Sequence, residues 1–231
     1  MMVIYDPPRF LPCGDTGLSV EFADGIDRSV NDQVQRLFRY FRQQSHPGIQ
    51  DVNPTYRSLF IQYQPGLCSF ENLVLLVEEG LKTHDSDAAR QTAPVEIPVC
   101  YGGVHGPDLE AVADFHGLSK DDVVCLHSTP EYYVYMIGFT PGFPYLGGLD
   151  ERLFTPRKIQ PRQKVAAGTV GIADRQTGIY SIDSPGGWQL IGRTPLKLFD
   201  IDQPEPFLFN PGDSLRFVPI PEAAFERYSH H

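Results

Sequence analysis

Seven cations fall between residues 138 and 195: Arg152, Arg157, Lys158, Arg162, Lys164, Arg175 and Arg193, against four carboxylates, Asp150, Glu151, Asp174 and Asp183. This basic island lies in a chain of net charge −10. Locally positive surface on an acidic protein selects small anions over nucleic acid. Arg157 follows Pro156, Arg162 follows Pro161, and Arg193 stands just ahead of Pro195. A stiff backbone can hold a guanidinium fork for a bidentate grip on carboxylate or phosphate. Gly186-Gly187, ahead of the lone Trp188, can bare backbone N–H groups to the same anion, or turn a tight hairpin. These residues predict an anion- and substrate-binding site of Arg157, Arg162, Gly186, Gly187 and Trp188, with Arg193 as a catalytic arginine. His127, where a helix is expected to give way to a strand, is the candidate general acid/base. A satisfied structural histidine is the competing reading.

Other chemistry is excluded by pattern. Ser184 stands beside glycines but has neither the GxSxG spacing nor a following helix, so no nucleophile elbow is formed. Gly168-Thr169-Val170-Gly171 is not GxGxxG, and no GxxxxGK[ST] occurs, so no standard nucleotide loop is expected. Cys13, Cys68, Cys100 and Cys125 include no CxxC pair and the histidines no HxxxH pair, so no metal site is expected. Each cysteine lies in or beside an apolar segment, which predicts buried, reduced thiols. No apolar run approaches a membrane span and the start lacks a signal-peptide pattern, which predicts a cytoplasmic protein. Whether the terminal His230-His231 is natural stays open.

The stretch 138–195 holds ten of the 21 glycines and six of the 21 prolines, yet also the only tryptophan. That composition reads as short strands and specified turns wrapped round a site. Upstream, RFLPC and GLSVEF read as strands. A helix capped by Asp27 carries Val30, Val34, Leu37, Phe38 and Phe41 on one face. Two more strands lie between Ile49 and Tyr63, with Pro54 marking an edge. A second helix follows, capped by Ser69. The order ββαββα predicts an α+β layer with both helices on one face of an antiparallel sheet. The polar stretch Thr83 to Thr92 separates residues 1–85 from a second domain at 93–231. Two short helices, the second opened by Ser119, lead to YYVYMIGF at 132–139. VAAG, VGIA, GIYSI, WQLIG, LKLF and SLRFV then predict a closed or nearly closed β-barrel, and a helix from 222 to 228 ends the chain.

Two long runs, HSTPEYYVYMIGFTPGFPYLGGL (127–149) and PRKIQPRQKVAAGTVGIADRQTGIYSIDSPGGWQLIGRTP (156–195), closely resemble the family of the bacterial 5-oxoprolinase B-subunit. That family is also called the Kip-inhibitor or allophanate hydrolase subunit 1 family. GDTGLSVEF and IPVCYGGVHGPDL extend the likeness over almost the whole chain. Ala166 stands where the family usually has proline, and Gly17 and Ser19 alter the N-terminal motif. The resemblance implies an N-terminal α+β domain, a cyclophilin-like C-terminal barrel, and membership of a cytoplasmic complex that opens 5-oxoproline to glutamate with ATP. It implies that the direct partner is the 5-oxoprolinase C-subunit, with the A-subunit the third component. The alternative it implies is a binding module that inhibits a sensor histidine kinase. A five-membered lactam needs its carbonyl oxygen activated, and both the substrate carboxylate and a transferred phosphoryl are anionic, in keeping with the arginines. Phe143, Tyr145 and Leu146 fall in the Gly/Pro-rich stretch 140–149. They are expected on a stiff loop at the contact with the C-subunit, or else as a plug under the barrel.

Overall fold

The structure, a computed structural model, describes residues 2–83 and 93–228. The chain divides into two compact units, Met1–Arg90 and Gln91–His231. The polar stretch expected to separate two domains falls, beyond Thr83, outside the described residues, as does His230-His231.

In the first unit, strands β1 (Ile4–Cys13), β2 (Gly17–Ala23), β3 (Ile49–Pro54) and β4 (Ser58–Tyr63) form an antiparallel sheet in the order β1-β2-β4-β3. Pro54 thus sits on an edge strand, where its missing N–H breaks no interior ladder. Helix α1 (Arg28–Gln43) starts where the Asp27 carboxylate accepts from the Ser29 N–H, and α2 (Phe70–Lys82) where Ser69 accepts from Asn72 N–H. Val30, Val34 and Leu37 of α1 and Leu73 and Val77 of α2 share one core with Leu18, Val20, Leu59 and Ile61 of the central strands.

In the second unit, β5 (Val95–Tyr101) leads to α3 (Leu109–His116) and α4 (Lys120–Ser128). Gly117 ends α3 in a left-handed cap at φ 65°, and Ser119 and Asp122 form a reciprocal capping box that opens α4. Then come β6 (Tyr132–Ile137), β7 (Pro144–Gly147), β8 (Arg162–Val165), β9 (Thr169–Ala173), β10 (Gln176–Ile179), β11 (Ser184–Gly186), β12 (Gln189–Arg193), β13 (Ser214–Pro219) and α5 (Glu222–Tyr228). Seven of these strands close a barrel in the order β10-β7-β6-β13-β5-β12-β9, while β8 and β11 pair as a separate ribbon. Ile97, Val99, Val134, Leu146, Val170, Ile172, Ile191 and Phe217 fill the interior.

Four expectations need correction. VAAG is no barrel strand, because only its Val165 is extended, at the end of the ribbon strand β8, and residues 166–168 turn. LKLF forms no strand and contributes one isolated bridge, Phe199 to Phe207. The stretch 140–149 is not all loop, because β7 runs through it and pairs with both β6 and β10. Cys13 and Cys125 are exposed, and only Cys68 and Cys100 are buried. On the outer β1 and the short α4, an apolar sequence neighbourhood did not amount to burial.

Candidate functional site

The β8–β11 ribbon and the turn after β6 converge on one end of the second unit, over a small satellite core of Phe143, Tyr180, Trp188 and Leu190. A cavity of about 230 Å³ opens there. Phe139, Phe143, Tyr145, Tyr180 and Trp188 wall it, and Arg157 and Lys158 stand at its polar side with the Gly186-Gly187 backbone. Phe143 is the hub of the aromatic wall, with its ring edge-on to Tyr180 and Trp188, both at 5.5 Å. Glycine is required twice in this packing. A Cβ on Gly186 would collide with the Tyr180 hydroxyl, and one on Gly178 would meet the Phe143 ring at 2.8 Å. Gly187, by contrast, has room for a side chain.

The cations are held from behind. Asp108, at the start of α3, is 5% exposed. Its Oδ1 accepts from Lys158 Nζ at 2.9 Å and Arg162 Nη2 at 2.7 Å, and its Oδ2 from the Leu190 N–H at 2.7 Å. Burial pushes this carboxyl up, but bonds from Arg162, Leu190 and Lys158 outweigh it and hold the pKa below its ordinary value. Arg157 is tied to Asp174 at 3.0 Å, with both side chains more than half exposed, so this pair is free to open toward a ligand. Burial raises the phenol pKa of Tyr145 and Tyr180, which keeps both protonated. The arrangement suits a small, flat, partly apolar ring carrying one anionic group.

The residues singled out in the sequence divide accordingly. Arg157, Gly186, Gly187 and Trp188 come together in this cavity, joined by Phe143 and Tyr145. Arg162 stands just behind it, occupied by Asp108. Arg193 lines a different cavity. His127 is at neither: it is fully buried inside the barrel, its ring nitrogens bonded at 2.8 Å to Tyr101 Oη and to Thr177 Oγ1. Its ring also stacks on Phe217 at 4.5 Å. Burial lowers its pKa to about 3. A neutral imidazole with no route to solvent cannot exchange protons with a substrate, so the expected acid/base role is withdrawn.

The interface expectation is corrected in the same way. Phe143 and Leu146 are 2% and 1% exposed, because Phe143, just ahead of β7, enters the satellite core and Leu146, on β7, enters the barrel. Tyr145 is half-buried in the cavity wall. Phe139, which lines the cavity, is 66% exposed, and Ile159, which follows the lining residue Lys158 in the chain, is 99% exposed. Phe139 also holds a left-handed φ of 65°. Sequence reasoning missed Asp108, Tyr180 and Phe139, and counted Lys158 only among the cations of the basic stretch. A carboxylate next to Pro107 reads as a turn, and only the folded ribbon shows that it anchors two cations.

Known proteins share this architecture. Residues 8–209 match the family model of the carboxyltransferase domain, subdomain C and D. The chain is 43% identical to the 5-oxoprolinase B-subunit of Bacillus subtilis (strain 168), over 93% of this chain and 94% of that protein. It superposes on PH0987 from Pyrococcus horikoshii with TM-score 0.57 and 44% identity, covering 94% of this chain and all of that one. The match to TTHA0988 has TM-score 0.81 and 39% identity over 88% of this chain, which spans only 40% of that longer chain. On these grounds the chain belongs to the family of the 5-oxoprolinase B-subunit, built on carboxyltransferase subdomains C and D.

Proposed function

We propose that this chain is the B-subunit of an ATP-dependent 5-oxoprolinase, and that its aromatic cavity holds 5-oxoproline. The observation that carries the reading is the pairing of an aromatic box with Arg157 and Lys158 in a cavity of about 230 Å³. The lactam ring stacks against Phe143, Tyr180 and Trp188, and its carboxylate meets Arg157, released from Asp174. The protonated phenols of Tyr145 and Tyr180 offer hydrogen bonds to the lactam oxygen, the atom that must be activated before water can cleave the ring C–N bond.

Among the described residues lining the cavity there is no carboxylate and no imidazole. This supports a division of labour in which this chain binds and orients substrate, while the A- and C-subunits of a cytoplasmic complex complete ATP use and hydrolysis. The cyclophilin-like description of the barrel belongs to the same proposal. Exposed Phe139 and Ile159 are then the anchors for the C-subunit, which would close the cavity mouth.

Calorimetric titration of the purified chain tests this. 5-Oxoproline should bind, and 2-pyrrolidinone, which lacks the carboxylate, should bind roughly tenfold more weakly or worse. Arg157→Ala should erase that difference, and the chain alone should not turn over 5-oxoproline with ATP. Equal affinity for the two lactams, or turnover by the isolated chain at the rate of the assembled complex, would sink the reading.

A further inference from the structure

A second cavity, of about 260 Å³, lies where β12 ends. Tyr180 faces the aromatic cavity, and its chain neighbour Ser181 faces this one, together with Arg193, Thr194, Lys197 and Phe225. The loop before β9 packs tightly on the end of β12. Thr194 N–H donates to Gly168 O at 2.8 Å, and Gly168, at φ 82°, has no room for a Cβ against the Thr194 carbonyl. Arg193 is fixed by this packing. Its Nε donates to Ala167 O at 2.9 Å, and its guanidinium lies 5.9 Å from the Phe225 ring centre.

Arg193 differs from most of its neighbours in what it lacks. Arg152, Arg157, Lys158, Arg162 and Lys164 each pair with a carboxylate, while Arg175 lies 5.5 Å from the Phe154 ring centre. Among the described residues Arg193 pairs with none, and Nε alone of its guanidinium is bonded to protein. The nearby acids are engaged elsewhere. Asp183, which feels the Arg193 charge, bonds Lys164 and the Ala167 N–H. Asp200 bonds Lys197 at 2.9 Å, with the lysine side chain 66% exposed and the aspartate 24%, so solvent screens the pair from the lysine side.

We infer that this second cavity is an oxyanion site for a phosphoryl group, gripped by the Arg193 fork with Lys197 supplying the second positive charge. A fork oriented through Nε presents its Nη hydrogens to two oxygens at once. One carboxylate would be matched by Arg193 alone, and the second cation favours a group carrying about two negative charges at neutral pH. Phosphate binding here does not depend on what fills the aromatic cavity. If the chain does serve ATP-driven lactam opening, the phosphate belongs to a nucleotide, held one residue along the chain from the substrate wall.

The purified full chain is titrated separately with inorganic phosphate, ATP, adenosine and 5-oxoproline. Phosphate and ATP should bind competitively and adenosine should not bind. ATP tighter than phosphate identifies a nucleotide as the source, and equal affinities a free phosphate. Arg193→Ala should weaken phosphate binding roughly ten- to a hundredfold, with Arg193→Lys only partly restoring it. The exposed-pair control Arg216→Ala should leave phosphate binding unchanged. All three variants should bind 5-oxoproline as the parent does, which separates this site from the aromatic one. Should Arg193→Ala not fold, Lys197→Ala on the surface reads the same site, with a loss of roughly three- to tenfold. No phosphate or ATP binding by the parent chain, or binding indifferent to both Arg193 and Lys197, overturns the inference.

Discussion

Asp108 keeps two cations beside the aromatic cavity with a single buried carboxylate. Its partners Lys158 and Arg162 have side chains 32% and 28% exposed, so solvent screens part of the interaction. Asp108→Asn should therefore destabilise the chain by about 2–3 kcal/mol, below the 3–5 typical of a fully buried pair. The folded pKa of Asp108 lies below the ordinary 3.8. Its stabilising charge is thus complete above that value and is lost as pH falls through the lower, folded one. His127 adds acid sensitivity by a different route. Its unfolded form takes up a proton below 6.5, while the folded form resists until about 3. Across that window its contribution to stability drops by about 1.4 kcal/mol per pH unit. Urea unfolding of the parent and of His127→Gln, which keeps hydrogen bonds for Tyr101 and Thr177, should diverge as pH falls below 6.5, with the parent the steeper. Parallel curves would place the proton elsewhere.

The turn between β6 and β7 carries both strain and exposure. Phe139 stands at φ 65° with most of its ring in solvent. A left-handed conformation costs a residue with a Cβ about 1–2 kcal/mol, so Phe139→Gly should raise thermal stability while weakening lactam binding and capture of the C-subunit. A variant gaining stability with no loss of either function would leave Phe139 without a role. Gly186→Ala should do the reverse of a surface change. By pushing the buried Tyr180 ring out of place, it should lose affinity for 5-oxoproline and stability together. The caps at Asp27, Ser69 and Ser119 were legible in the sequence, because one side chain and the next few N–H groups define them. Strand β7 was not, since PGFPYLGG has the composition of a loop, and only pairing to β6 and β10 holds it extended. Nor was Asp108, whose partners lie far along the chain, Leu190 at a separation of 82 residues. The division of the arginines between two cavities was equally hidden. Local stiffness from proline was readable, but the neighbour each guanidinium meets is a property of the closed barrel.

Each of the two compact units carries its own apolar core. We propose that residues 93–231, produced alone, fold cooperatively and keep the affinity of the intact chain for 5-oxoproline and for phosphate. Thermal unfolding followed by near-ultraviolet dichroism, with titration of both ligands, checks this. A fragment without a cooperative transition would show that the first unit is needed to fold the second.

The barrel closes by laying β13 alongside β5 in parallel, with Leu215 opposite Val95 and Phe217 opposite Ile97. The ion pair Arg216–Glu96 across that seam joins residues 120 apart. During synthesis, every other strand of the barrel leaves the ribosome before the one that seals it. Until β13 arrives, β5 and β6 each wait with an unsatisfied edge, the template on which nascent chains cross-pair. Ribosome stalling or premature termination ahead of Ser214 would therefore release an open, self-adhesive sheet rather than a merely shortened protein, and such a product is a natural client for a chaperone.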